Sequence, residues 1–402
     1  MINRDLYLKK IHPFMNTELI KVITGIRRCG KSVMLEIIQK ELLKDGVAPG
    51  AMLTYNFESM ALVPLCSAEA LYRNVMEKAR VITGKVYLFF DEIQEVKDWE
   101  RAINSFRVDL DCDIYITGSN STLLSGELAS YLAGRYVEFI MYPLSFREFL
   151  ELMGEQQPDL TTAGCFQQYI LYGGMPYLWN LNYQAEPVKQ YLRDLYNAIE
   201  LKDIIRRKKI RDVDLLERIL AYVTANIGNT FSATTISKYL KSEGRKVAPE
   251  TVLNYLHAGS EAFLFYPVQR LDIAGKKILS VQEKYYLADH GIREAVLGGN
   301  MKDINLILEN IVFLELRRRG YKVNVGKYGD KEIDFIAQYQ SERIYVQVCY
   351  LLATPETAER EFGVYRNIRD NYPKYVLSMD EFDMSREGII HRNIRDFLLQ
   401  EN

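Results

Sequence analysis

A chain of 402 residues, 48% hydrophobic and 26% charged, has room for roughly two to four domains, each with a core of its own. A formal net charge of −2 excludes a global basic field that recruits nucleic acid, so any such contact has to come from local patches. The five cysteines, Cys29, Cys66, Cys112, Cys165 and Cys349, are scattered, with no C-x-x-C pair and no histidine cluster, which argues against a zinc site and a disulfide framework and fits a reducing compartment.

The opening segment MINRDLYLKK has no apolar signal core, and no apolar run reaches the roughly 18 residues a membrane span needs. The expectation is a cytoplasmic protein with no membrane contact.

The branched, apolar run LIKVIT (residues 19–24) predicts a strand that Gly25 ends. GIRRCGKS follows, matching G-x-x-x-x-G-K-[ST] at every fixed position. Then VMLEIIQKELLKDG carries helical spacing and stops at Gly46. Glycines let a backbone wrap around phosphates, and the start of the helix adds partial positive charge. The candidate ligands of a triphosphate are Gly25, Ile26, Arg27, Arg28, Cys29, Gly30, Lys31, Ser32 and Val33. Lys31 is expected at the β- and γ-phosphates and Ser32 on Mg²⁺.

KVYLFFDEIQ is an apolar strand ending in Asp91 and Glu92. A carboxylate at the end of a buried strand suits a metal's water shell, and a second beside it suits the attacking water. Asp91 is therefore assigned to Mg²⁺ and Glu92 to the water. DIYITGSN predicts another strand whose polar end carries Thr117, Ser119 and Asn120, where ligands gather in an open parallel sheet. Asn120 or Ser119 suits a γ-phosphate sensor; SNSTLL also reads as a helix cap.

These segments resemble the AAA superfamily of P-loop ATPases, with Gly25–Ser32 as Walker A, Asp91–Glu92 as Walker B, AMLTYNFES as the second strand and DIYITGSN as the sensor strand. More narrowly, the arginine pair in GIRRCGKS, LAGRYVEFIMYPLSFREFL and YILYGGMPYL resemble a group of bacterial and archaeal AAA-type ATP-binding proteins, over nearly the whole chain. The resemblance implies ATP and Mg²⁺ as cofactors and ATP hydrolysis as the activity. It also places Arg135 where related ATPases hold an arginine that contacts a neighbour's γ-phosphate, which implies self-association; a surface arginine is the alternative. Of Arg27 and Arg28, one suits phosphate oxygens and the other an acidic neighbour.

After the Gly-Gly-x-Pro break of YILYGGMPYLWNL, residues 188–210 carry a helical pattern with Val188, Leu192, Leu195, Ile199 and Ile204 on one face. By analogy with the AAA class this is a helical lid. Arg206 and Arg207 are candidate phosphate sensors, or with Lys208, Lys209 and Arg211 a solvated basic face.

Residues 211–295 predict three helices, the second capped by Ser232 and the third opened by Pro249, then two strands joined by IAGK: a winged helix. The third helix offers Glu250, Thr251, Asn254 and His257, with Arg245, Lys246, Lys276 and Lys277 flanking it for phosphates. DNA and protein both remain open as its ligand.

The C-terminal stretch, from Glu309 and Glu315 on a helix to Asp334 on a strand and RIYVQVCY after it, resembles the restriction-endonuclease-like fold. Gln347 and Cys349 stand where that pattern has glutamate and lysine. An amide is a weak ligand for a hard metal, and cysteine supplies no cation. Cleavage is not expected unless a migrated lysine, such as Lys331, substitutes.

The expected fold is α/β: an AAA-type parallel-sheet ATPase domain at 1–150, a helical lid at 151–210, a winged helix at 211–295 and a degenerate nuclease-like domain at 300–402. The expected function is a Mg²⁺-dependent ATPase acting as an ATP-driven switch with DNA-binding appended domains. The alternatives are a signalling ATPase whose appended domains bind protein, and an ATP-licensed nuclease.

Overall fold

The computed structural model of the chain describes residues 2–124, 132, 134–273, 275, 277–298 and 303–400. It divides into two compact units, Met1–Pro143 with Glu261–Phe263, and Leu144–Ser260 with Leu264–Asn402.

In the first unit, α1 (Asp5–Ile11) precedes β1 (Ile20–Thr24) and α2 (Lys31–Lys44). Then come β2 (Met52–Asn56), α3 (Ala68–Ala79), β3 (Val86–Asp91), α4 (Trp99–Asp109), β4 (Cys112–Gly118) and β5 (Tyr136–Ile140). The strands form one parallel sheet in the order β2-β3-β4-β1-β5. Every residue of β1 and β3 is buried, as expected for mainly apolar strands covered on both faces, and the one charge within β1, Lys21, pairs with the buried Asp113 of β4. Leu71 and Val75 of α3 and Ile103 and Phe106 of α4 pack with Val22, Leu88 and Phe90 of the sheet. The order leaves β1 between β4 and β5, so the loops after β1, β3 and β4 open on the same carboxyl edge.

The second unit begins with α5 (Phe146–Gln156), held by a capping box between Ser145 and Glu148. Next are α6 (Thr162–Tyr172) and α7 (Ala185–Ala198), which runs into a π-helical stretch, Ile199–Arg206. Val188, Leu192, Leu195, Ile199 and Ile204 are all buried along this pair. Then follow α8 (Val213–Ala225), β6 (Thr230–Phe231), α9 (Ala233–Ser242), α10 (Pro249–Glu261), β7 (Phe265–Asp272), β8 (Lys277–Leu287) and α11 (His290–Leu297). The chain closes with α12 (Ile304–Arg318), β9 (Lys322–Tyr328), β10 (Lys331–Tyr339), β11 (Glu342–Val348), α13 (Pro355–Gly363), β12 (Lys374–Ser378), β13 (Ile390–Asn393) and α14 (Ile394–Leu399).

The strand order here is β13-β12-β11-β10-β9-β7-β8-β6, with β7 parallel to β9 through Arg270↔Val325. The hairpin β7–β8, expected as the wing of a separate domain ending at 295, therefore belongs to the same sheet as the C-terminal strands. Among the described residues, no helix is long and apolar enough to cross a membrane.

Candidate nucleotide-binding site

Strand β1 delivers the chain into the loop Gly25–Gly30. Gly25 has φ 146°, and a Cβ there would meet the Met141 carbonyl oxygen at 2.2 Å, so only glycine lets the loop pass the segment leaving β5. Gly30, at φ 104°, starts α2. The first helical hydrogen bond runs from the Met34 amide to the Gly30 oxygen at 2.9 Å, so the amides of Lys31, Ser32 and Val33 have no acceptor within the helix. That arrangement of donors is suited to an anion.

Ile26 and Cys29 are buried under the loop, and burial pushes the Cys29 thiol above its usual range, which makes it a packing group and not a nucleophile. Arg27 pairs with Glu58 at 3.3 Å. Arg28 is exposed in the left-handed region at φ 67°, and Ser32 and Val33 are exposed on the first turn of α2.

The Lys31 ammonium lies inside the loop, donating to the Gly25 and Ile26 oxygens at 3.1 and 3.3 Å, and stands 3.6 Å from Glu92 Oε1. Asp91 is buried and accepts from Thr117 Oγ1 at 2.5 Å and from Ser32. Burial raises its carboxyl above the usual range, and the two hydroxyls offset this only in part. Glu92 adopts φ 53°, a left-handed conformation that costs a non-glycine residue about 1–2 kcal/mol. Its amide donates to Thr117 Oγ1 at 2.9 Å, and its Oε2 accepts from Ser119 at 3.1 Å and from Gln94. Burial pushes the Glu92 carboxyl up, but Lys31, Gln94, Arg27 and Ser119 outweigh it and hold it below the usual range. Glu92 is thus the charged partner of Lys31.

The Ser32 hydroxyl and the Asp91 carboxylate lie side by side as hard oxygen donors. They fit Mg²⁺, which takes one or two protein oxygens and keeps waters or phosphates for the rest. Of the two sensor candidates, Ser119 touches Glu92, while Asn120 is buried with its carbonyl accepting the Leu123 amide at 3.3 Å. Thr117 and Gln94 were not assigned these contacts from the sequence. Their signal was positional: Gln94 lies two residues past Glu92, and Thr117 stands beside β3 on β4.

Arg135 lies elsewhere. It precedes Tyr136, the register partner of Ile20, whereas the loop follows Thr24. Five residues at about 3.3 Å each put it roughly 16 Å away, at the opposite end of the sheet. It donates to Asn104 at 2.9 Å and does not reach this chain's own phosphate loop.

In the second unit, Glu309 of α12 and Asp334 of β10 are both buried, with Glu332 two residues before Asp334 on the same face. Lys284 of β8 stands among them, 2.8 Å from Glu309, 2.9 Å from Glu332 and 3.7 Å from Asp334, and Arg270 of β7 reaches Glu332 at 3.5 Å. Lys331, the lysine anticipated for this role, instead donates to the Gly363 oxygen at 2.9 Å. Lys284 was missed because it lies outside any E-x-K spacing, two strands before Asp334 in the chain.

Tyr286 donates to Glu309 at 2.5 Å, and the Asp334 amide donates to Gln347 Oε1 at 3.2 Å. Glu315 belongs to a different cluster, with Arg318 and Arg319 at 2.7 and 2.8 Å, and Cys349 is packed in the core. Burial lowers the Lys284 ammonium, but Glu309, Asp334 and Glu332 outweigh it and keep the lysine charged. Among the described residues, no group of three or more His, Cys, Asp or Glu is arranged to hold a metal ion. The nest does not fit the metal that the nuclease-like resemblance implies, because an ammonium stands between its carboxylates.

Of the basic residues flanking α10, Arg245 is paired with Asp212 at 2.6 Å and with Asp214. Lys276 and the side chain of Lys277 lie outside the described residues. On α10 itself, Glu250, Leu253, Asn254 and His257 are exposed. Arg207 stands 3.7 Å from Asp203, and Arg206 is exposed.

The sequence is 38% identical over 402 residues to an uncharacterized protein of Haemophilus influenzae, covering 100% of this chain and 99% of that one. The chain belongs to that protein's family. A further relative is the uncharacterized protein MJ1544 of Methanocaldococcus jannaschii, 32% identical over 381 residues, covering 91% of this chain and 81% of that one. Residues 17–150 match the AAA domain family, and residues 164–303 match a domain of unknown function (DUF8612). Among solved structures, the Walker-type ATPase PABY2304 of Pyrococcus abyssi superposes with a TM-score of 0.51 at 16% identity, covering 73% of this chain and 95% of that one. The first unit of this family member is thus an AAA-type P-loop ATPase domain.

Proposed function

We propose that the protein is a Mg²⁺-dependent ATPase in which nucleotide at Gly25–Val33 works a switch. One observation carries this reading: the buried Lys31 ammonium and Glu92 carboxylate face each other at 3.6 Å, beside a ring of helix-start amides. Without ligand the buried ammonium and carboxylate compensate one another's charge, and phosphate oxygens are equally suited to pair with the ammonium. When a triphosphate tail enters, Lys31 exchanges the Gly25 and Ile26 carbonyls for phosphate oxygens. Glu92 then loses its cationic partner and, still held by Ser119 and Gln94, orients and polarises a water. Ser32 and Asp91 would hold Mg²⁺, which would supply neutralising charge at the phosphates. Asn120 completes the site as a sensor of the γ-phosphate. Arg135 acts on a neighbouring subunit's nucleotide, since its own lies at the other end of the sheet.

The appended unit was expected to grip DNA. One observation favours protein as its ligand: Arg245, a main candidate for a phosphate contact, is neutralised by Asp212 and Asp214. The exposed face of α10 carries Glu250, Leu253, Asn254 and His257, with no arginine or lysine. The test is the ATPase rate with and without duplex DNA at two salt concentrations. Salt-sensitive stimulation means DNA, because phosphate contacts release counterions. An unchanged rate with no gel retardation supports the protein-docking reading.

A further inference from the structure

We propose that Arg4 is a positioning residue for the phosphate loop, an inference that rests on the nucleotide reading above. Arg4 lies 25 residues before Cys29 in sequence, yet it is buried, 4% exposed, in a left-handed conformation at φ 50°. Its Nη1 donates to the Cys29 oxygen at 3.3 Å and its Nη2 to the Tyr142 oxygen at 2.7 Å. The guanidinium lies over the Tyr7 ring, 4.8 Å from the centroid. The Tyr7 hydroxyl in turn accepts the Tyr142 amide at 3.0 Å.

Two consequences follow from elementary geometry. The fork of one arginine ties the loop to the segment leaving β5, the same segment against which Gly25 is packed at its Met141 carbonyl. The loop is therefore braced against a single wall from both of its ends. Second, a trans peptide is planar, with its carbonyl and amide pointing opposite ways. Turning the Cys29 oxygen toward Arg4 turns the Gly30 amide away from Arg4. It joins the amides of Lys31, Ser32 and Val33 as a donor preset for phosphate.

Arginine is suited to this task in a way lysine is not. Its planar fork reaches two carbonyls at once, while an ammonium on a flexible stem holds one well. A brace that presets donors acts equally on ground state and transition state. Its loss therefore raises KM and the ADP dissociation constant and leaves kcat nearly unchanged.

The experiment titrates ADP with Mg²⁺ into the full-length protein and its Arg4→Met and Arg4→Lys variants, and measures steady-state ATPase kinetics on each. Arg4→Met is expected to weaken ADP binding about tenfold or more, with a matching rise in KM and kcat within about threefold of wild type. Arg4→Lys, which keeps one carbonyl contact, is expected to fall between. Should Arg4→Met fail to fold, Arg4→Lys decides alone: intermediate affinity with unchanged kcat supports the role. Wild-type affinity in the variants, or a fall in kcat without a rise in KM, overturns it. If the wild type takes up no ADP at all, the nucleotide reading fails and this inference with it; wild-type uptake with unaltered variants removes only the role of Arg4.

Discussion

The Thr117 hydroxyl donates to Asp91 at 2.5 Å and accepts the Glu92 amide at 2.9 Å, so one side chain of β4 sets both carboxylates at the end of β3. Glu92 is left-handed at φ 53° and depends on such contacts to stay there. Replacing Thr117 by the isosteric valine leaves a buried carboxylate and a buried amide each short of a partner. The expected cost is about 1–3 kcal/mol of stability, read from urea unfolding. Turnover is expected to fall about 10²-fold because the carboxylate proposed to orient the water loses its register, while ADP affinity changes little. Wild-type turnover in Thr117→Val would show that the hydroxyl does not set the site.

Arg135 lies at the far end of the sheet from this chain's own phosphate loop, and the proposed function gives it a role on another copy. The Arg135→Ala variant is expected to bind ADP as wild type does and to lose about 10³-fold in turnover. Wild-type specific activity should rise with protein concentration as subunits meet. Concentration-independent activity that survives Arg135→Ala would assign this arginine to its contact with Asn104 alone.

How far the sequence reveals this arrangement depends on how local the signal is. β1, β3 and β4 are readable because each is rich in branched and aromatic apolar residues, with Lys21 of β1 and Asp113 of β4 paired with one another in the core, and the glycine loop is readable because its spacing has one common use. Arg4 is not readable, since its partners lie 25 and 138 residues away and nothing near it marks them. Lys284 escaped for the same reason: it reaches Glu309 from another strand, not from the two-residue spacing that pattern reading looks for. The parallel pairing of β7 with β9 likewise leaves no local trace, because β8 and two helices intervene between the two strands in the chain.

His290 is fully buried, and its Nε2 donates to the Tyr169 carbonyl at 2.5 Å. Burial lowers its pKa from 6.5 to about 4. A histidine held neutral when folded takes up a proton more readily when unfolded. Its contribution is therefore intact above about pH 6.5 and is lost as pH falls toward 4, at up to about 1.4 kcal/mol per pH unit. Urea unfolding at pH 7 and pH 5 is expected to show a smaller acid loss in His290→Gln than in wild type. Equal losses would mean that other groups carry the acid sensitivity.

The Lys284 nest supplies its own cation. Lys284→Met removes the partner of Glu309 and Asp334, both buried, and is expected to cost about 3–5 kcal/mol in unfolding experiments. The melting temperature of the wild type is expected to stay unchanged by EDTA or by excess Mn²⁺, and a plasmid should remain uncut with either Mg²⁺ or Mn²⁺. Nicking that depends on Lys284 would reverse this reading and make the nest a reaction centre.

The central claim is that the loop from Gly25 to Val33 grips a nucleotide through Lys31 and is emptied by Glu92-assisted hydrolysis. Calorimetric titration of ADP with Mg²⁺ into wild type, Lys31→Ala and Glu92→Gln tests it most directly. The account expects saturable heat for wild type and Glu92→Gln, and none for Lys31→Ala. Folded wild-type protein that releases no heat, or a Lys31→Ala variant that binds as tightly as wild type, would contradict it.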